Sequence, residues 1–346
     1  MWNISVFCDD FLPGMPFFER ALALLSELGI KHVELRMIDE KHLINMTNDE
    51  VLEVKKTLKK YGMKVGGLGT PIFKCPLRGY DEVKWGCTHG YKGQNTNSGS
   101  AYEDHLKLLP RAFEIADMLD AVNVRILSFW REYPLGEVFN ELVEKVQKSA
   151  KLAKSAGHVL VMENEHNNMA GTGVELAKIV RAVGEGLTCL FDLGNSWRRG
   201  GTVYPDDFEA LKGLISHLHI KHESIDIMPG NNTYGEPLHG IDPETQLGGF
   251  FRKCYSGWAM NDHKIKGRLN IDGTDFEIIG ERTLVPVTVK LHYDHREFLT
   301  ALFKSGYTGM IAVDSNFVCP VSSESEENIR KTLPELQKLI NEILKS

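Results

Sequence analysis

The sequence predicts an α/β fold, a (β/α)8 barrel with a β-rich insertion after its seventh strand. Three observations predict it. Eight short apolar runs alternate with amphipathic stretches of helical spacing, the order expected of a parallel sheet covered by helices. No G-x-G-x-x-G follows the first run, which removes the usual mark of a doubly wound dinucleotide fold. Several of the later runs turn abruptly polar at their C-terminal ends, as buried parallel strands do when they deliver side chains into a site.

Ile4 to Phe7 reads as the first strand, and Phe17 to Leu28 as its helix, stopped by Gly29. His32 to Arg36 is the second strand. Thr47-Asn48-Asp49-Glu50 has the spacing of a capping box that opens the next helix, which closes at Tyr61-Gly62. Met63 to Leu68 is the third strand, and Val65-Gly66-Gly67-Leu68-Gly69 reads as a strand end rather than a phosphate cradle. The stretch from Thr70 to Ala101, rich in Gly, Pro, Asn and Ser, reads as a loop covering substrate. Asp104 to Leu119 is a helix, Ala121 to Ser128 a strand and Leu135 to Ala156 a long helix ended by Gly157. Strands at Val159 to Glu163, Leu187 to Asp192 and Ile215 to Lys221 follow, with helices at Val174 to Val183 and about Pro205 to Lys212. His295 to Phe303, Met310 to Asp314 and Ser325 to Leu344 complete the alternation.

The whole chain, 1–346, thus reads as a single barrel domain, with 222–291 as an insertion. Within the insertion Ile265, Gly267, Leu269 and Ile271 alternate up to Asp272-Gly273, and Phe276 and Ile278 alternate after it, a hairpin signal. An insertion of this size serves as a lid, an oligomer contact or a seat for a second protein.

A formal net charge of −7 leaves no basic excess to neutralise phosphates, so nucleic acid is not expected as a partner. No stretch approaches a membrane span and the N-terminal apolar run is too short for a signal peptide, so no membrane association is expected. The six cysteines form no C-x-x-C pair, so no zinc ribbon or thioredoxin-like centre is expected, and a reduced, cytoplasmic compartment is the default.

The chemistry concentrates at the ends of strands five to eight: Glu163, Glu165 and His166, then Asp192 and Asn195, then His217, His219 and Lys221, and finally Asp314. Barrel sites lie at the C-terminal strand ends. Glu163, Asp192, His219 and Asp314 offer three carboxylates and one imidazole, a donor set that suits Mn²⁺ best, then Mg²⁺ or Zn²⁺. The bland alternative is an ion-free salt-bridge network, which is strained because clustered carboxylates repel without a cation. Side chains alternate along a strand, so Glu163 and Glu165 face one way and so do His217, His219 and Lys221; the residue at the strand mouth should be the ligand. His217 reads equally well as a packed core histidine. His166 is a candidate general base because imidazole titrates near neutrality, with Glu165 or His89 assisting, and a backbone-bonded loop histidine is its bland reading. Arg36, Lys74, Trp85, Asn195, His217 and Lys221 are candidate substrate contacts, and Trp85, Trp130 and Trp197 could stack on a flat group or simply pack.

Met162-Glu163-Asn164-Glu165-His166 with Gly171-Thr172-Gly173, then Phe191-Asp192-Leu193-Gly194-Asn195, His217-Leu218-His219-Ile220-Lys221 and Gly306-Tyr307-Thr308-Gly309 resemble the xylose-isomerase-like barrels of sugar isomerases and epimerases. The resemblance spans nearly all of the chain outside the insertion. It implies that Glu163, Asp192, His219 and Asp314 are the metal ligands. Two departures stand out: Asp314 replaces the family's usual Glu, shorter by one bond of about 1.5 Å, and Asn195 stands where related epimerases and nucleases often carry His. Within the superfamily, Glu163-Asn164-Glu165-His166, Pro71-Ile72-Phe73-Lys74-Cys75-Pro76 and the insertion are similar to the larger subunit of bacterial C-glycoside deglycosidases. That similarity implies elimination of an aromatic aglycone from a 3-oxo sugar, a Mn²⁺-type ion, a small β-rich partner subunit and a hetero-oligomer. The alternative it leaves open is a ketose isomerase or epimerase acting on a small sugar.

Overall fold

The computed structural model describes residues 2–9, 12, 14–78, 102–131, 133–199, 201–220, 265–271, 274–279, 283–286, 295–314 and 323–345. Strands β1 (Asn3–Phe7), β2 (His32–Leu35), β5 (Lys64–Leu68), β6 (Asn123–Ile126), β7 (Leu160–Glu163), β8 (Leu187–Asp192), β9 (Ile215–Ile220) and β13 (Met310–Val313) close into a parallel barrel in the order β1-β13-β9-β8-β7-β6-β5-β2. The predicted barrel is therefore present. β7 and β13 are buried along their whole length, as strands must be when helices cover one face and barrel contents fill the other.

Helices α1 (Phe18–Glu27), α2 (Asn48–Lys60), α3 (Tyr102–Leu119), α4 (Leu135–Ser155) and α5 (Gly173–Val183) lie between the strands, with α8 (His295–Lys304) before β13 and α9 (Ser323–Ile343) after it. Each apolar stripe faces the barrel; α1 buries Phe18, Ala21, Leu22, Leu24 and Leu25. The Thr47 box forms as spaced: Thr47 Oγ1 accepts from the Glu50 amide at 3.3 Å and Thr47 N donates to Glu50 Oε2 at 2.7 Å. A second box, which the sequence reading passed over, starts α5 with Thr172 and Glu175. Pro110 sits inside α3 on its exposed side, where water can satisfy the carbonyl that loses its partner.

Three local differences from the sequence reading have simple causes. The sixth strand is followed at once by a one-and-a-half-turn helix, α6 (Leu193–Arg198), too short to show helical periodicity. The helix expected at Pro205–Lys212 is a wide turn over Val203–Asp207 running into α7 (Phe208–Leu211). A two-residue ribbon, β3 (Met37–Ile38) with β4 (Lys41–His42), follows β2. Between β9 and α8, strands β10 (Ile265–Ile271), β11 (Thr274–Ile279) and β12 (Thr283–Pro286) form an antiparallel sheet, with Asn270 opposite Asp275. The remainder of the expected 222–291 insertion, the tip of the 70–101 loop with Trp85 and His89, and Lys221 all lie outside the described residues. Among the described residues no helix is long and apolar enough to cross a membrane.

Candidate metal centre

Alternation along the strands sets the site. Asp192 pairs with His219 and Ala312 with His219 in the parallel register, while Glu163 pairs with Leu190. Val161, Leu190, His217 and His219 line the barrel interior with Glu34, Asn123 and Arg125. Side chains two positions further along a strand share its face, so Glu163, Asp192, His219 and Asp314 converge at the C-terminal mouth. Each offers a ligand atom, all within 4.8 Å of one another. All four are almost wholly buried.

The geometry separates the alternatives that alternation alone left open. His219 Nδ1 lies 3.0 Å from Glu163 Oε1 and 3.9 Å from Asp192 Oδ2, so His219 belongs to the carboxylate cluster. His217 sits one layer deeper, its Nε2 3.3 Å from Glu34 Oε1 and its Nδ1 2.8 Å from Asn123 Nδ2. Glu163 ends its strand inside the barrel, whereas Glu165, past the strand end, pairs with Lys74 at 3.0 Å. The Phe7 ring meets His219 edge-on at 5.3 Å and fixes its plane.

The carboxylates are held from behind. Arg125 donates to Glu163 Oε2 at 2.8 Å and to the Thr70 and Gly69 carbonyls at 3.2 and 3.0 Å. Asn164 accepts from the Asp192 amide at 2.7 Å and donates to its carbonyl at 2.9 Å. Asp192 Oδ1 accepts from the Asn195 amide at 2.7 Å. Asn195 Nδ2 donates to the Asn164 carbonyl at 3.0 Å, which leaves its Oδ1 facing His166 Nδ1 at 3.4 Å. Arg36 pairs with Asp9 at 2.8 Å and lies over the Phe7 ring. Trp130 is buried and bridges to Asn168 through the backbone.

Arg125, Glu34 and Asn164 were not singled out in the sequence. The available signal was a charged residue flanked by apolar ones inside a short strand, as in Val124-Arg125-Ile126 and Val33-Glu34-Leu35.

The donors fit a divalent cation. Three buried carboxylates against one arginine and one imidazole leave an excess of negative charge that a low-dielectric interior penalises, and carboxylate with imidazole is a hard-to-borderline set. Electrostatics give the same answer. Burial pulls the His219 pKa down, but Glu163, then Asp314 and Asp192, outweigh it and hold the imidazolium above its ordinary value. A proton on His219 therefore partly neutralises the metal-free cluster, and a cation must displace it.

The sign of the pH dependence follows. That proton stabilises the metal-free fold most below the unfolded pKa, and the contribution fades as pH rises through the raised folded value. Metal affinity runs the other way. Mn²⁺ binding is expected to weaken by up to about tenfold per pH unit below the raised His219 value. Titrations with Mn²⁺ across that range check it, and a pH-independent affinity would remove His219 from the ligand set.

The sequence profile of a family described as "Xylose isomerase-like TIM barrel" matches residues 22–339. A sequence search of curated proteins finds no match. Among solved structures, one described as L-ribulose 3-epimerase aligns with TM-score 0.62 at 14% identity, covering 100% of this chain and 96% of the other. D-psicose 3-epimerase aligns with TM-score 0.59 at 13% identity, covering 98% and 99%. A 3-keto-D-glucoside 4-epimerase from E. coli aligns with TM-score 0.55 at 12% identity, covering 97% and 100%. At these identities the likeness is one of fold.

Proposed function

Since the chain belongs to the xylose isomerase-like TIM barrel family, we propose that it is a divalent-metal-dependent sugar isomerase or epimerase that moves a proton next to a sugar carbonyl. The observation that carries this reading is the buried cluster of Glu163, Asp192, His219 and Asp314 at the barrel mouth, with His166 and Glu165 immediately beyond Glu163. When bound, a Mn²⁺, Mg²⁺ or Zn²⁺ ion supplies Lewis-acid polarisation of the substrate oxygen. The chain's own groups do the rest. Asn195 Oδ1 is an acceptor, so His166 carries its proton on Nδ1 and turns Nε2 into the nitrogen that takes a proton from carbon. Glu165 is the second proton carrier. Burial acts to raise its carboxyl, but the Lys74 ammonium outweighs that and keeps it below its usual range, hence anionic at neutral pH, and a proton taken up by His166 lowers it further. Lys74, paired with Glu165 at 3.0 Å, is proposed to donate to a sugar hydroxyl. Arg36 and, beyond the described residues, His89, Trp85 and Lys221 are further proposed substrate contacts or assisting groups; His217, wholly buried one layer below the cluster, is not proposed to touch substrate.

A second reading keeps the same proton abstraction and ends differently: the enolate of a 3-oxo sugar collapses to an unsaturated ketone as the C1–aryl bond breaks, and the aglycone carbon takes up a proton from the protonated base or through the quinone-like tautomer of a phenol. Two features favour it: the Glu163-Asn164-Glu165-His166 and Pro71–Pro76 runs, and the sheet β10–β12 inserted between β9 and α8, proposed as the seat for a small β-rich partner in a hetero-oligomer. Mn²⁺ is the ion this reading favours.

One experiment decides. The Mn²⁺-loaded chain is incubated in D₂O with ketoses, 3-oxo-glucosides and a 3-oxo C-glucoside. Deuterium beside the carbonyl without loss of the aglycone is the expected result. Aglycone release would move the assignment to the lyase, and unlabelled, unchanged sugars throughout would sink the isomerase or epimerase reading.

A further inference from the structure

Beneath the carboxylate cluster lies a buried polar layer that the chemistry above does not use. Ser5, Glu34 and His217 are each 0–2% exposed. Ser5 Oγ donates to Glu34 Oε1 at 2.7 Å, and His217 Nε2 lies 3.3 Å from the same oxygen. Asn123 Nδ2 is 2.8 Å from His217 Nδ1 and 3.5 Å from the Gly66 carbonyl. An amide nitrogen only donates, so His217 carries its proton on Nε2, which faces Glu34 Oε1 at 3.3 Å without a formed hydrogen bond. Glu34, His217 and His219 each present an atom within 4.8 Å of the other two. The His217 and His219 rings stand 5.5 Å apart, nearly perpendicular. His219 turns Nδ1 to Glu163, and its other nitrogen, Nε2, is buried with no hydrogen-bond partner among the described residues.

The backbone is shaped around the Glu34 carboxylate. A Cβ on Gly66 would meet Glu34 Oε1 at 2.6 Å, and one on Gly67 would overlap Oε2. The β2–β5 register slips between Val33 and Glu34, so that Glu34 pairs with Gly67 and Gly66 bulges past it. Val65-Gly66-Gly67 is thus a notch that seats one carboxylate. A buried anion without a matching task is costly. A metal-bound imidazole, by contrast, needs its second nitrogen to donate to an acceptor that fixes the ring.

We propose that Glu34 is a positioning residue of the metal centre, accepting a hydrogen bond from Nε2–H of His219 when a cation occupies the mouth, and that the Gly66–Gly67 bulge exists to hold it there. The proposal rests on the metal reading above. Glu34 fixes the tautomer that leaves the Nδ1 lone pair for the ion, and His217, hydrogen-bonded from behind by Asn123, keeps Glu34 from rotating away.

The test uses the full chain with Mn²⁺ alone as titrant and Zn²⁺ for magnetic resonance. Glu34→Gln keeps the shape and removes the charge; Gly67→Ala keeps the charge and displaces the carboxylate, with only ordinary contacts otherwise. Each is expected to lose about 10- to 100-fold in Mn²⁺ affinity, while the chelator-treated variants unfold close to the wild-type temperature. In the Zn²⁺-loaded wild type with ¹⁵N-labelled histidine, the His219 Nε2–H gives a downfield, hydrogen-bonded signal that moves upfield in Glu34→Gln. Wild-type affinity in Glu34→Gln, or a wild-type spectrum with His219 protonated on Nδ1, overturns the proposal. A wild-type chain that takes up no Mn²⁺ sinks the metal reading itself and the proposal with it. If one variant does not fold, the other and the wild-type spectrum still decide.

Discussion

Asp192→Ala is expected to remove Mn²⁺ binding, with an affinity loss beyond about 100-fold, the upper end seen when only an outer partner is lost. Asp192 contributes one carboxylate oxygen near His219 and uses the other to accept the Asn195 amide. Its loss therefore deletes a donor and loosens the turn into α6. The metal-free fold should survive, because removing one of three mutually repelling buried carboxylates relieves charge strain in the cluster. Metal analysis after gel filtration, alongside circular dichroism, checks both halves. A variant that is folded and carries wild-type metal would place the ion elsewhere.

His166→Ala is expected to keep its metal and lose turnover by about 10²- to 10⁴-fold, the usual worth of a positioned proton-transfer group. His166 meets Asn195 Oδ1 at 3.4 Å, and Asn195 remains tied to Asp192 and Asn164 when that contact is lost. Glu165→Gln should cost less in turnover and more in KM, because it weakens the ion pair that holds Lys74. Steady-state kinetics with measured metal content separate the two. Full activity in His166→Ala would move the base role to Glu165.

The parts of the site legible in the sequence share one property: each announces itself within a single strand. Leu160 to Glu163 and Leu187 to Asp192 are apolar segments ending in a donor, Ile215 to Ile220 carries one just before its end, and period-two alternation places those donors on one face. The barrel follows from the same strand–helix alternation. The supporting groups were not legible because each depends on a partner far along the chain. Arg125 matters through Glu163, 38 positions away, and Glu34 through His217, across the barrel. The Gly66–Gly67 notch reads as a strand end until Glu34 is set beside it, since a glycine's reason for lacking a side chain is often the neighbour it admits. Helix α6 escaped because six residues cannot display a helical period.

In the proposed enzyme four strand ends form one cation site. Diffraction from crystals of the Mn²⁺-loaded chain, with anomalous differences collected for manganese, tests it most directly. The expected result is a single strong peak bonded at about 2.0–2.3 Å to Glu163, Asp192, His219 and Asp314, with Nδ1 as the histidine ligand. No peak among these four residues, or a peak bound by other side chains, would contradict it.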